Sequence, residues 1–199
     1  MNDNWTINTF PILKEKNYRW SNSWTSMSDI GRVYQGKIFT YKEYKKTEQS
    51  YINFFVKLFK YVHAHKVKII QFSDLKIPVR ATYDRNGKLR EWYEKIDNNM
   101  SLSLDEIQYV IPLILRENIY GVLYHKKSKT YIHFGYDYYV YVNSPRFYFL
   151  QGEQAVFNTD LDQLASHNGL FVEYEGTRIT QKMDGEEYVR FIEREHEIL

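Results

Sequence analysis

The clearest pattern of polar and apolar positions in the chain begins at Thr40. Thr40 and Glu43 have the spacing of a capping box, in which two side chains reciprocally satisfy backbone amides at a helix start. Apolar residues then recur at steps of seven, four, three and four, as the buried stripe of a helix requires: Tyr44, Tyr51, Phe55, Leu58 and Val62. Lysine, glutamine and asparagine lie on the other faces. The pattern predicts one long helix over about 41–64.

Two or three shorter helices are predicted by similar signals. A second capping box joins Ser103 to Glu106, and apolar residues at helical spacing follow it. Pro112 should interrupt or kink this helix, because proline lacks an amide donor and clashes with the preceding turn. Further helices are expected over 160–166, ending near Gly169, and over 184–196, where Asp184 is the cap.

Runs of β-branched and aromatic residues predict the strands. They are expected over 67–72, over 79–83 and 89–93 as a hairpin about Asn86–Gly87, over 120–124 and 130–134 about a turn at 126–129, over 136–142, and over 170–174. The first 30 residues are rich in tryptophan and should be packed, with an irregular fold or a short strand. No long linker or regular βαβ alternation occurs. The sequence therefore predicts a single α+β domain over 1–199 with a mainly antiparallel sheet.

Composition narrows the function classes. The chain has 199 residues, no cysteine and a formal net charge of only +2. The absence of cysteine excludes disulfides and thiolate metal sites, and it suits a reducing cytoplasm. The small net charge argues against a dedicated nucleic-acid binder, so no nucleic-acid partner is expected. No apolar run is long enough to cross a bilayer, so no membrane partner is expected either.

Candidate catalytic and metal-binding residues are few. His63 and His65 are two residues apart, a spacing that does not place them on one helix face, so a helix-end role is favoured over a metal site. If the 126–129 turn pairs His125 with residue 130, His133 opposes Val122 and points to the other face, which weakens an acid/base pair. No hydrolase, phosphate-loop or dinucleotide motif occurs. We predict no enzymatic activity, no cofactor and no metal.

Charge is distributed unevenly along the chain. Residues 1–150 hold 23 basic and 14 acidic side chains, whereas residues 151–199 hold 4 basic and 11 acidic ones. This acidic segment could steer a basic protein partner, or it could be an ordinary solvated surface. The partner-binding residues predicted from it are acidic or aromatic: Glu173, Tyr174, Glu175, Glu186, Glu187, Tyr188 and Glu193.

The stretch from Gly31 to Tyr44 (GRVYQGKIFTYKEY), with Glu48, Tyr51 and Ile52 after it and the strand at 67–72, resembles the opening of bacterial immunity proteins of polymorphic or contact-dependent toxin systems. The residues Leu170-Phe171-Val172-Glu173 are similar to the same group. The resemblance implies a small, cytoplasmic, noncatalytic protein that neutralises a cognate toxin by direct binding. A nuclease is the expected toxin. The alternative is an RNA-associated protein or ribonuclease that uses basic and tyrosine-rich surfaces.

Overall fold

In the computed structural model the long helix, α1, is Tyr41–Tyr61. The structure describes residues 5–8, 26–34, 36–135, 140–151, 154–157 and 160–174. The predicted capping box is present, because the Thr40 amide donates to the Glu43 carboxylate at 2.8 Å and the Glu43 amide donates to the Thr40 hydroxyl at 3.3 Å. The helix ends before 64 because His63 adopts a positive φ of 56° and the Ala64 amide donates to the Phe59 carbonyl, which closes a Schellman motif.

The other described helices are α2 Lys88–Lys95, α3 Leu104–Leu115 and α4 Asp160–Ser166. The capping box of α3 is present, with the Ser103 amide donating to Glu106 at 2.8 Å. Pro112 does not end α3, which continues to Leu115. The predicted helix over 184–196 lies outside the described residues. None of the described helices is long and apolar enough to cross a membrane.

The predicted hairpin over 79–93 is wrong. Residues Ala81–Tyr83 form a turn of 3-10 helix, and the segment after Gly87 is α2. The Asp84 carboxylate accepts hydrogen bonds from the Leu89 and Arg90 amides at 3.1 and 2.9 Å. These bonds satisfy the first amides of a helix, so the Asn-Gly turn leads into α2 instead of a second strand.

The described strands are β1 Trp5–Asn8, β2 Val33–Tyr34, β3 Lys37–Ile38, β4 Lys66–Asp74, β5 Ser101–Ser103, β6 Ile119–His125, β7 Thr130–Phe134, β8 Val140–Asn143, β9 Tyr148–Gln151, β10 Gln154–Phe157 and β11 Phe171–Tyr174. Seven of them form one sheet in the order β11-β1-β8-β7-β6-β4-β5, and β2-β3 and β9-β10 form separate pairs. All described pairs are antiparallel. The predicted α+β fold with a mainly antiparallel sheet is confirmed.

The main core lies between the helices and one face of the large sheet. Phe54, Phe55, Leu58 and Phe59 of α1 are fully buried there, together with apolar residues of α3 and of the central strands. On the opposite sheet face, Val122 and Tyr131 form a second, smaller cluster with Ile70, Tyr120 and Tyr124. The two faces alternate along each strand as the pleat requires.

Candidate partner-binding site

Two of the seven predicted partner-binding residues lie in a described strand. Glu173 and Tyr174 belong to β11, where they pair with Thr6 and Trp5 of β1. In the described sheet β11 is an edge strand, because β1 is its one neighbour there. The other five predicted residues lie outside the described part of the chain: Glu175, Glu186, Glu187, Tyr188 and Glu193.

The pairing register shows which end of the sheet β11 approaches. Tyr174 pairs with Trp5, Trp5 with Val142, and Val142 with Ile132. Because neighbouring strands are antiparallel, β11 ends on the side of the sheet where β8 and β6 end and where β4 and β7 begin. The end of β11 at Tyr174 therefore lies toward the same end of the sheet as His125 and Asn143.

This end of the sheet collects basic side chains that are distant in sequence. Lys68 pairs with Tyr124, and His125 pairs with Thr130 across the β6–β7 turn. The segments 62–68, 124–131 and 141–147 contain no aspartate or glutamate. We call their cationic residues the basic end, which consists of His63, His65, Lys66, Lys68, His125, Lys126, Lys127, Lys129 and Arg146.

The lysines of the basic end are exposed, and within the described residues none of them forms a salt bridge. The Ser103 hydrogen bonds are the main cause of the lowered pKa of Glu106. The charge of Lys66 lowers that pKa only slightly. Among the described residues, therefore, no carboxylate forms a salt bridge with the positive charge of these five lysines.

A chain of hydroxyl groups holds the β6–β7 turn beneath the lysines. The His125 Nδ1 lies 2.6 Å from the Ser128 hydroxyl, which lies 2.8 Å from Thr130, and Thr130 lies 2.8 Å from Ser144. Thr130 and Ser144 are fully buried. Burial lowers the pKa of His125, and the nearby charges of Lys127 and His65 lower it further. Because the neutral imidazole can accept from Ser128, the network favours an uncharged His125.

The observed β6–β7 register shows whether His125 and His133 could form an acid/base pair. Val122 pairs with His133, and His125 pairs with Thr130, as the sequence predicts. The His133 ring contacts the rings of Tyr120 and Tyr141 on the sheet face opposite the helices. His125 and His133 therefore point to different faces and do not form one acid/base site. Of the strand predicted over 136–142, residues 136–139 lie outside the described residues.

The contact between His125 and Ser128 is not predicted by the sequence patterns. A serine within hydrogen-bond distance of an imidazole is the first requirement of a nucleophile and base. In the described residues no carboxylate hydrogen-bonds to the His125 ring, and the Ser128 hydroxyl is engaged by Thr130. The sequence signal that could have predicted this contact is the spacing of three residues between His125 and Ser128 across a tight turn. The arrangement matches a turn-stabilising network.

A buried ion pair lies on the other side of the molecule. Arg116 contacts both carboxylate oxygens of Glu48, with Nε to Oε2 at 2.7 Å and Nη2 to Oε1 at 3.0 Å, and its Nη1 donates to the Tyr83 carbonyl at 3.1 Å. Burial by itself would lower the Arg116 pKa, but the Glu48 hydrogen bonds and charge outweigh it and raise the pKa above its ordinary value. Lys45 also donates to Glu48, at 2.5 Å.

Tyr41 connects this ion pair to a surface groove. Its hydroxyl donates to the Tyr83 carbonyl at 3.0 Å and accepts from Arg116 at 3.4 Å. Tyr41 and Tyr83 line an open groove of about 400 Å³, whose rim carries Arg85. The groove is bounded by α1, the 81–87 loop and α3. Two of its lining lysines are engaged within the fold, since Lys45 contacts Glu48 and Lys88 contacts Glu91.

The described residues contain no group of three or more histidine, aspartate or glutamate side chains that could hold a metal ion. Comparison of this chain with protein-family models, with curated protein sequences and with solved structures finds no match.

Proposed function

We propose that this protein is a noncatalytic immunity protein that binds and neutralises a cognate bacterial toxin, with a nuclease domain as the target. The resemblance of residues 31–72 to immunity proteins supports this proposal. The structural observation that carries it is the position of Glu173 and Tyr174 on an edge strand of the described sheet. Such a protein would act in the cytoplasm and would need neither a cofactor nor a metal.

An edge strand suits protein recognition for a physical reason. Among the described residues no strand pairs with the outer backbone amides and carbonyls of β11, so these groups can pair with an added strand of a partner. Glu173 places negative charge on this strand, and Glu175 follows it directly in sequence. Nuclease domains that bind phosphates carry basic surfaces, so acidic residues would speed the encounter, while an aromatic residue such as Tyr174 would hold the complex.

Charge reversal tests the proposal. The partner to use is the product of the gene immediately upstream, where the immunity proposal expects a large toxin, and the variant combines Glu186→Lys, Glu187→Lys and Glu193→Lys. We expect slower association with the toxin and a loss of its salt dependence, because surface charges act mainly on the association rate. Truncation of an aromatic residue, Tyr174→Ala or Tyr188→Ala, should instead raise the dissociation rate.

A matched control reverses three exposed acidic residues in other regions, with Glu94→Lys, Asp97→Lys and Glu117→Lys. This control should retain the association rate of the unmodified protein to within about threefold. If the acidic-segment variant and the control associate at the same rate and with the same salt dependence, the acidic segment is only a solvated surface and the proposed interface is wrong.

A further inference from the structure

We propose that the basic end of the sheet is a binding site for single-stranded nucleic acid. The site comprises the lysines at the start of β4 and in the β6–β7 turn, with Tyr124 beside them: Lys66, Lys68, Lys126, Lys127 and Lys129. This goes beyond the proposed immunity function, because it uses β4 and the β6–β7 turn instead of the edge strand β11, and a different class of partner.

The fold concentrates positive charge at the basic end. The expectation of no nucleic-acid partner rested on the net charge of +2, which averages the whole chain. The fold instead brings two separate basic segments to one edge, because Lys68 pairs with Tyr124 just before the turn that holds Lys126. Adjacent strands lie about 4.8 Å apart, which is within the screening length of about 8 Å in physiological salt. The lysine fields therefore add.

The type of cation favours phosphate over protein. Protein interfaces are enriched in arginine and depleted in lysine, whereas lysine is a common phosphate ligand. The basic end contains five lysines and one arginine, Arg146. Charges that a protein partner would have to desolvate can remain hydrated against a phosphate backbone, where binding gains from the release of counterions.

An aromatic side chain next to the cations points to unpaired bases. Tyr124 is half-buried, lies opposite Lys68 in the register, and stacks on Tyr131 with ring centroids 4.4 Å apart. Proteins that bind single strands combine a basic track with aromatic rings on which bases stack. A duplex keeps its bases stacked inside, so Tyr124 would add nothing to duplex binding.

The turn itself is preorganised for binding. The Lys129 amide donates to the Lys126 carbonyl at 3.2 Å, and the hydroxyl chain from His125 through Ser128 to Thr130 anchors the turn from below. A fixed backbone reduces the entropy lost when the lysines engage phosphates.

The test is fluorescence anisotropy with a labelled 20-nucleotide single strand of mixed sequence, as RNA and as DNA, titrated from 50 to 200 mM salt. Neutralisation of the turn by Lys126→Gln, Lys127→Gln and Lys129→Gln should weaken binding at 50 mM salt about tenfold or more and reduce the log–log salt slope by about 2. A matched control, Lys42→Gln, Lys46→Gln and Arg90→Gln, removes the same charge from other exposed positions and should change affinity less than about threefold.

Two further arms decide the ligand. Tyr124→Leu should weaken single-strand binding about fivefold or more with an unchanged salt slope, because stacking is not ionic. Heparin, which has no bases, should bind equally to the unmodified protein and to Tyr124→Leu. The proposal is overturned if the turn variant, shown by its urea melt to be folded, binds like its control, or if duplex DNA or an acidic protein binds the basic end and single strands do not. No toxin is needed, so this test is independent of the immunity proposal.

Discussion

The Glu48–Arg116 pair and the basic end show two opposite ways in which this chain treats charge. Arg116 and Glu48 are removed from water, and the carboxylate and guanidinium satisfy each other through two hydrogen bonds. At the basic end, by contrast, the described lysines are exposed and have no carboxylate partner within salt-bridge distance among the described residues. The first arrangement serves the fold, and the second places exposed positive charge where, among the described residues, no salt bridge uses it.

The difference predicts which substitutions should change the free energy of unfolding. Removing one partner of a buried pair leaves the other charge uncompensated in a medium of low dielectric constant. Such a substitution should therefore lower the free energy of unfolding strongly. Removing an exposed lysine that forms no salt bridge among the described residues leaves no buried charge uncompensated. The free energy of unfolding should therefore barely change. Stability and binding should therefore depend on different residues.

The largest expected effect is at the buried pair. Glu48→Leu leaves Arg116 without its carboxylate and should lower the free energy of unfolding by about 3–5 kcal/mol in a urea melt. The double variant Glu48→Leu and Arg116→Met removes both charges, and it should be more stable than the single variant. A single-variant loss below about 1 kcal/mol would show that Arg116 is solvated after substitution and would remove one side of the comparison.

Gly121 gives the next largest expected effect, within the apolar packing of the sheet. A Cβ at this position would lie 2.6 Å from Cδ1 and 2.8 Å from Cγ1 of Ile69, which is fully buried. Gly121→Ala should therefore destabilise the protein by about 1–3 kcal/mol through overpacking. Ile69→Val removes the nearest methyl group, so the two substitutions together should cost less than the sum of the single losses. Additive losses in the urea melts would mean that Gly121 does not depend on Ile69.

The protonation of His125 should link the basic end to pH. Its pKa is lowered by burial first, so the folded state favours the neutral ring. The stabilisation is present above the unfolded pKa of about 6.5 and is lost as pH falls through the lower folded pKa. Replacing His125 by Gln should flatten the stability profile between about pH 7 and pH 5. His167→Gln, at an exposed position, is the control, and identical profiles for the two variants would contradict the assignment.

The smallest expected effect is on stability at the basic end. The variant Lys126→Gln, Lys127→Gln and Lys129→Gln should change the free energy of unfolding by less than about 0.5 kcal/mol, because these charges are exposed and repel one another. A loss above about 2 kcal/mol in the urea melt would show that the lysines support the turn and would blur the distinction from the buried pair.

Local signals account for the parts of the fold that could be predicted. Each capping box needs only residues three positions apart, and both occur where expected, at Thr40 and Ser103. The four-residue turn at 126–129 determines the pairing of His125 with Thr130, so the β6–β7 register follows from turn length. Short-range geometry was sufficient in these segments.

The error at 79–93 has a specific cause. Asn86–Gly87 predicts a hairpin turn because this pair favours positive φ, and Gly87 does have φ of 68°. The apolar residues that follow, Leu89, Trp92 and Ile96, recur at steps of three and four, and all three are buried. That helical period was the stronger signal for the secondary structure of this segment. The Trp92 ring also stacks on Tyr109 of α3, which packs α2 against α3.

Contacts between distant segments could not be predicted. Glu48 and Arg116 are 68 residues apart, and nothing in either helix pattern identifies the other as its partner. The basic end likewise requires the strand order, because His65 and Lys66 reach Lys126 only once β4 lies beside β6. A count of charges along the chain cannot show such a convergence.

We propose that this protein acts by binding a toxin and not by catalysis. The most direct measurement is a titration of the activity of the upstream toxin against increasing amounts of this protein, at toxin concentrations well above the dissociation constant. Stoichiometric binding predicts that toxin activity falls linearly and reaches zero at a fixed molar ratio. Complete loss of activity at a small fraction of that ratio, or no loss at any ratio, would contradict the claim.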